Sequence, residues 1–589
     1  MKGFFKSVLA TIVALFIVGI ITFVLSLGIF GLILSSSSET YVLKDNTVFE
    51  LKLEGTLKDR APAKNPLYEY LGVSQASNIG LDDILSGIQK AKENEKIKGI
   101  YIHAGMLFGS TASLQEIRNA LTDFKKSGKF VVAYGDTYSQ GCYYLASVAD
   151  KIVLNPQGMV DLHGLSASPM FYKGLLDKLG IEMQIFKVGT YKSAVEPYIN
   201  EKMSDANREQ VASFLNDTWS SVLADISASR KISVENLNSL ADTCLMMKDP
   251  KYLATNKVID TLLYETEMKD YLKSLVKVDK DDDLSLASVS NLITVPLKEK
   301  NTAEDKIAVL YAEGGIYSGQ KPDPNGEDIL DGPLIKEIEK LRKDDKVKAV
   351  VFRVNSPGGS AYASEQIWKA ITDLKAKKPV VVSMGDYAAS GGYYISCNAS
   401  KIIAQPTTLT GSIGVFGLFP NAEGLTKKIG LSFDNVKTNQ RSDFGEITRP
   451  MRADEKAMLQ RYINNGYDLF LTRCADGRKM EKDSLAKIAE GRVWTGKQAL
   501  AIGLVDGLGG IDVAIKEAAK LAKLKDYSLQ NYPKKTSFFD LLLSSSKDDM
   551  AAKAMKEYLG ADYKAIKSIK ELQSTDYVQA RLPYDIQMK

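Results

Sequence analysis

The sequence predicts an α/β fold built twice in tandem, on three observations. The segment KGIYIHAGMLFGS (Lys98–Ser110) aligns with KAVVFRVNSPGGS (Lys348–Ser360) at an offset of 250 residues (348 − 98). At the same offset Val131–Pro156 meets Val381–Pro406 and Leu179–Ser193 meets Ile429–Asp443, so one register holds without a gap over about 95 residues. Within each copy, short β-branched apolar runs alternate with stretches of helical periodicity, the pattern of parallel strands buried on both faces with helices crossing between them.

The elements follow in order. In the second copy, Ala349–Val354 and Val380–Ser383 are predicted strands. Between them, Ser364–Lys375 places Ile367, Trp368, Ile371 and Leu374 on one helical face. Strand, Gly-rich turn, helix and strand make a right-handed βαβ unit. A further helix is expected to start near Ala389, with Lys401–Ala404 as the next strand. The first copy repeats the pattern with Ile100–Ile102, Leu114–Phe124 and Val131–Ala133, and the two copies are expected to pack as pseudo-equivalent layers. The domains are therefore placed at residues 46–275 and 301–527, joined by a charged connection over 276–300. Residues 528–589 form a Lys/Asp-rich tail in which Met550–Leu572 suits a peripheral helix, with no chemistry assigned.

The N-terminus predicts a membrane anchor. No ionisable side chain occurs from Ser7 to Ser38, and Val8–Leu34 is almost wholly apolar. Such a run reaches roughly 40 Å as a helix, enough to cross a hydrocarbon core of about 30 Å with tilt. A cleaved signal peptide needs an apolar core of only about 7–15 residues, so a retained transmembrane signal anchor over 7–35 is favoured. Lys2 and Lys6 lie in the short stub 1–6 and Glu39 is the first charge beyond the run, which keeps the N-terminus in the cytoplasm and sends the body across.

Composition narrows the chemistry. Against 76 Lys and Arg stand 72 Asp and Glu, a net charge of +4 with mixed signs, which argues against a dedicated nucleic-acid binder. The four cysteines are scattered with no C-x-x-C pair, and only His103 and His163 could supply imidazole, so no metal centre is expected.

Duplication allows each residue to be compared with its twin. In GDYAASGGYY, Ser390 lies just past a strand; in GDTYSQGCYY the twin is Gln140, which cannot be a nucleophile. An Ala-Ser-Gly-Gly turn alone is common in tight turns, but a second difference accompanies it. The loop NSPGGS (Asn355–Ser360) offers bare backbone N–H groups which, with that of Gly391, would form a two-donor oxyanion hole. Its twin, AGMLFGS (Ala104–Ser110), lacks the Pro-Gly-Gly turn. Neither histidine belongs to the copy that carries Ser390, which leaves a desolvated lysine as the available base. Lys192 of the first copy has Ser442 as its twin, whereas Lys187 and Lys437 are both lysine. Each copy thus lacks what the other supplies.

The motifs GDYAASGGYYIS (Gly385–Ser396), RVNSPGGS (Arg353–Ser360), TGSIGVFG (Thr410–Gly417) and YKSAVEPY (Tyr191–Tyr198) resemble those of the signal peptide peptidase A family in its long, tandem-domain (67K, protease IV) form. The resemblance implies a fold shared with the Clp protease proteolytic subunit and the crotonases, and a serine endopeptidase without cofactors. It implies Ser390 as nucleophile, Lys192 as general base, the Gly358 and Gly391 amides as oxyanion hole, and Ser412 as a hydrogen-bonding partner of the lysine. It further implies remnant signal peptides and other hydrophobic peptides as substrates, a homotetramer, and residence in the cytoplasmic (inner) membrane with a periplasmic body. A crotonase-like acyl-CoA enzyme and a catalytically inactive membrane scaffold are the alternatives.

Overall fold

The computed structural model describes residues 3–4, 6, 10–11, 13–22, 41–61, 78–296, 303–319, 328–535 and 578–581. Among these no helix is long and apolar enough to cross a membrane. Residues 13–22 are helical, and the rest of the expected anchor lies largely outside the described residues, as does the expected helix Met550–Leu572.

Each copy is centred on a largely parallel sheet. The first has β1 (Thr47–Lys58), β2 (Asn78–Gly80), β3 (Ile97–Phe108), β4 (Phe130–Tyr138), β5 (Lys151–Val160), β7 (Thr261–Leu262) and β8 (Leu286–Ala287), in the order β2-β1-β3-β4-β5-β7 with β8 also on β1. Every pairing in it is parallel. The second has β9 (Lys306–Glu313), β12 (Val347–Ser356), β14 (Val380–Ala389), β15 (Lys401–Ala404), β16 (Leu409–Gly411), β18 (Val493–Thr495), β19 (Gly507–Leu508) and β20 (Ser528–Tyr532). Its one antiparallel pairing is β16 with β18.

The repeat register survives folding. Helices Thr111–Lys125 and Ala361–Lys375 start 250 residues apart (361 − 111), as do β4 and β14 (380 − 130). Ile367, Ile371 and Leu374 are fully buried on the core face of the second helix, where each contributes about 1.5–3 kcal/mol of apolar burial. The predicted strand Lys401–Ala404 is β15. The helix expected near Ala389 starts at Gly391, because β14 runs on to Ala389.

A third sheet departs from two simple layers, because it mixes both copies. Its strands are β6 (Glu182–Lys187), β10 (Gly315–Tyr317), β11 (Asp328–Leu330), β13 (Gly358–Ser360), β17 (Phe416–Asn421) and β21 (Val578–Arg581), in the order β11-β10-β13-β21-β17-β6. β6 of the first copy lies antiparallel to β17 of the second through six residue pairs, from Phe416–Lys187 to Asn421–Glu182. The supposed connection is likewise built into the fold: β8 lies on β1, and helix Val289–Thr294 follows it. The tail supplies β20, parallel to β9, and β21.

The copies also meet through buried charge. Arg353, the twin of His103, is 1% exposed and sits 2.8 Å from Asp59 Oδ1 and 3.0 Å from Glu116 Oε2 of the first copy. Its Nη1 also donates to Ser383 Oγ at 3.1 Å. Removing one partner leaves buried, unpaired charge, which costs about 3–5 kcal/mol. Arg353→Ala is therefore expected to lower unfolding stability by about that amount in a denaturant titration, while Lys369→Ala, in an exposed pair with Asp373, changes it by about 0.5 kcal/mol or less.

Candidate active site

Ser390 ends β14 in a turn at φ 57°, ψ −114°. This is a strained conformation for a residue with a β-carbon. The turn is held because Ser390 N–H donates to Gly411 O at 2.8 Å while its carbonyl accepts from Tyr394 N–H at 2.8 Å. Its side chain is fully buried.

Lys192 arrives from the other copy. After β6 pairs with β17, the chain turns so that Tyr191 N–H donates to Glu490 O at 3.0 Å. Arg492 fixes the same turn: its guanidinium lies over the rings of Tyr191 and Trp494, each at 4.6 Å, and donates to Tyr191 Oη at 3.0 Å. Gln210 donates to Tyr191 O and to Ser193 Oγ, and accepts from Val493 N–H. The lysine stem then passes Gly491, which has φ 76°; a β-carbon there would fall 2.7 Å from Lys192 Cβ. Only glycine leaves that path open.

The result is a compact cluster. Lys192 Nζ lies 2.7 Å from Ser390 Oγ, 3.1 Å from Ser412 Oγ and 3.2 Å from Ser412 O. Lys192 is 1% exposed, and burial lowers its pKa from 10.5 to about 7, so an appreciable fraction is neutral near pH 7. Gly358 stands beside Gly391: it has φ 98°, and a β-carbon on it would lie 2.7 Å from Gly391 N. Gly358 N–H donates to Ser356 Oγ at 3.1 Å. The five residues singled out from the sequence thus lie together in one chain.

The first copy's corresponding place is filled. Gln140 Oε1 accepts from His163 N–H at 2.9 Å and from Gly164 N–H at 3.0 Å, and its Nε2 donates to Gly164 O. Ser442, the twin of Lys192, lies on an exposed segment and donates to Asn439 O. His103 pairs with Glu50 and His163 with Asp161, both away from Ser390's partners.

The matched family model is Peptidase family S49, found twice, over residues 123–279 and 372–525. The chain belongs to Peptidase family S49. It is 41% identical over 473 residues to Protease 4 of Salmonella typhi, covering 79% of this chain and 76% of that protein. It is 35% identical over 560 residues to Protease 4 of Haemophilus influenzae, covering 91% and 90%. It is 31% identical over 514 residues to the chloroplastic serine protease SPPA of Arabidopsis thaliana, covering 86% and 74%. The S49 chain is a serine protease with tandem domains, which removes the acyl-CoA and inactive-scaffold alternatives.

Gly491, Arg492 and Gln210 were not legible as site residues. The fixed offset fails before they are reached, since helix Asp205–Arg230 matches Ala453–Arg478 at 248 (453 − 205). The signal for Gly491 and Arg492 was the Gly-Arg-x-Trp run at 491–494 itself; Gln210 lies outside it, in helix Asp205–Arg230.

Burying a lysine has a stability consequence. With a folded pKa of about 7 against 10.5, the unfolded chain holds more protons between those values. Stability therefore rises with pH across that window and the full penalty is present below it. Lys192→Met is expected to raise the melting temperature at pH 7 by the equivalent of roughly 4 kcal/mol, with the gain shrinking toward pH 10; calorimetry at both pH values checks it.

Proposed function

We propose that this S49 protease is a membrane-anchored endopeptidase acting through a Ser390–Lys192 dyad on remnant signal peptides and other hydrophobic peptides. The carrying observation is the 2.7 Å contact between Lys192 Nζ and Ser390 Oγ in a buried site where the lysine is readily neutral. Neutral Lys192 accepts the Ser390 proton as the hydroxyl attacks the peptide carbonyl. The lysinium then protonates the leaving amine, and water, deprotonated by the same nitrogen, hydrolyses the acyl-enzyme. Ser412 orients Nζ through its two oxygens. The Gly391 and Gly358 amides take the developing oxyanion, Gly358 releasing or sharing its bond to Ser356.

The apolar run Val8–Leu34 holds the body against the outer face of the cytoplasmic membrane. There it meets the hydrophobic peptides left by secretion.

Ser390→Ala and Lys192→Ala are each expected to reduce peptide turnover by roughly 10³-fold or more, and Gln140→Ala by about twofold at most. A fluorophosphonate is expected to label Ser390 in the native chain at a rate that rises with pH and levels above about 7, with the inflection lost in Lys192→Ala. Full turnover by Lys192→Ala would sink the dyad.

The strands that join the copies also support the expected homotetramer. Residues 166–171 and 432–437 are the twins of β17 and β6 (416 − 250 and 182 + 250), yet neither forms a strand. They leave Met170, Phe433 and Val436 exposed at 69%, 59% and 98%. Pairing 166–171 of one chain with 432–437 of the next chain repeats the β6–β17 arrangement head to tail, and a closed ring follows where the rotation closes. Phe433→Asp with Val436→Asp is expected to convert the assembly to single chains in sedimentation velocity.

A further inference from the structure

Two cysteines that the chemistry above does not use lie buried against one another, close behind the nucleophile. Cys397 follows Ser390 by seven residues (397 − 390), just past the short helix Gly391–Tyr394. Cys474 lies on the long helix Ala453–Arg478. Both are fully buried thiols. Cys397 Sγ donates to Tyr394 O at 3.2 Å and lies 3.7 Å from Arg473 O, the carbonyl that precedes Cys474. Burial holds the Cys474 thiol well above its ordinary pKa, and a hydrogen bond with the Cys397 thiol adds to this.

The main chains also meet here. Gly477 follows Cys474 by three residues (477 − 474), on the same face of the helix. A β-carbon on Gly477 would fall 2.5 Å from Cys397 O and 2.9 Å from Asn398 Cα. A disulfide needs α-carbons about 4.4–6.8 Å apart, and this glycine is what lets the helix backbone approach residue 397 so closely.

The first copy fastens the same junction differently. There the twins are Ser147 (397 − 250) and, at the 248 offset of the long helices, Ile226 (474 − 248). Arg118 clasps the two elements: its Nη1 donates to Ser147 Oγ at 2.8 Å and its Nη2 to Asp225 O and Ser229 Oγ, each at 2.6 Å. The twin of Arg118 is Trp368 (118 + 250), whose buried Nε1 finds no acceptor among the described residues. The second copy lacks the polar clasp and carries the two thiols in its place.

We infer that Cys397 and Cys474 are oxidised to a disulfide outside the cytoplasm, fastening the nucleophile's helix to helix Ala453–Arg478. The step is thiol–disulfide exchange with a disulfide-bearing oxidant while the chain is still open. One cysteine sulfur attacks the oxidant to form a mixed disulfide, and the second displaces it; two protons and two electrons leave on the oxidant's two thiols. The bond closes a span of 77 residues (474 − 397) that carries Ser412 and β17, and long spans gain most from closure. The place of oxidation rests on the anchored, extracytoplasmic reading above, since disulfides persist in oxidising compartments; the pairing itself does not.

The full chain made by cell-free translation into detergent, with and without oxidised glutathione, tests the pairing apart from the compartment. With oxidant, alkylation in denaturant and peptide mass mapping are expected to recover Cys397 and Cys474 as one linked pair. The oxidised protein is expected to melt about 5 °C above the same protein in dithiothreitol. Cys397→Ala, Cys474→Ala and the double variant lose that shift equally, whereas Cys244→Ala keeps it. Separate thiols at 397 and 474 in the folded, oxidised, unsubstituted chain overturn the inference, as does pairing of either with Cys142 or Cys244. Alkylation of intact cells before lysis then reads the compartment. A linked pair there supports both readings; thiols there, with the pair linked in the cell-free protein, uphold the pairing and count against the extracytoplasmic body.

Discussion

The antiparallel pairing of β6 with β17 decides which lysine meets which serine. Six residue pairs tie a strand of the first copy to a strand of the second. Five residues after β6 ends, Lys192 enters the space beside Ser390. An α/β sheet buried on both faces can place a serine at a strand end by itself. Here the base comes from a second chain segment that crosses over from the other copy. The duplication provides that segment, while in the first copy Gln140 fills the place that corresponds to Ser390.

Burial and reactivity follow from the same junction. Lys192 is packed by Gly414 and Gly491 of the second copy, with its Nζ against the two oxygens of Ser412. No water need reach the amine for it to be held, and exclusion of water is what lowers its pKa to about 7. The interface that excludes water is itself polar at depth: Arg353 pairs with Asp59 and Glu116, and Asp386 accepts two bonds from Ser113 at 2.8 Å. Such contacts fix the relative placement of the copies as directional bonds, which apolar packing alone specifies less sharply.

Much of this was visible in the sequence because duplication preserves register. β4 with β14, and the helices before them, fall at the predicted offset, and Ser390 and Lys192 stood out as complementary differences. What was hidden is long-range. Glu182–Lys187, with Met183 and Ile185 alternating, forms a strand beside β17, while its twin at 432–437, whose apolar Phe433 and Val436 lie three apart, forms none. β21 has only four residues, too short a run to announce a strand, and its strand exists through β13 and β17. The Arg492 clamp lay beyond the point where the repeat register slips.

The dyad depends on Lys192 being a neutral base at the pH of catalysis. Direct titration of its ε-carbon by ¹³C NMR, in protein with selectively labelled lysine assigned by Lys192→Met, measures this without reference to turnover. Burial of the amine beside Ser390 predicts a midpoint near 7. A midpoint above 10, the ordinary range for a solvated lysine, would contradict it.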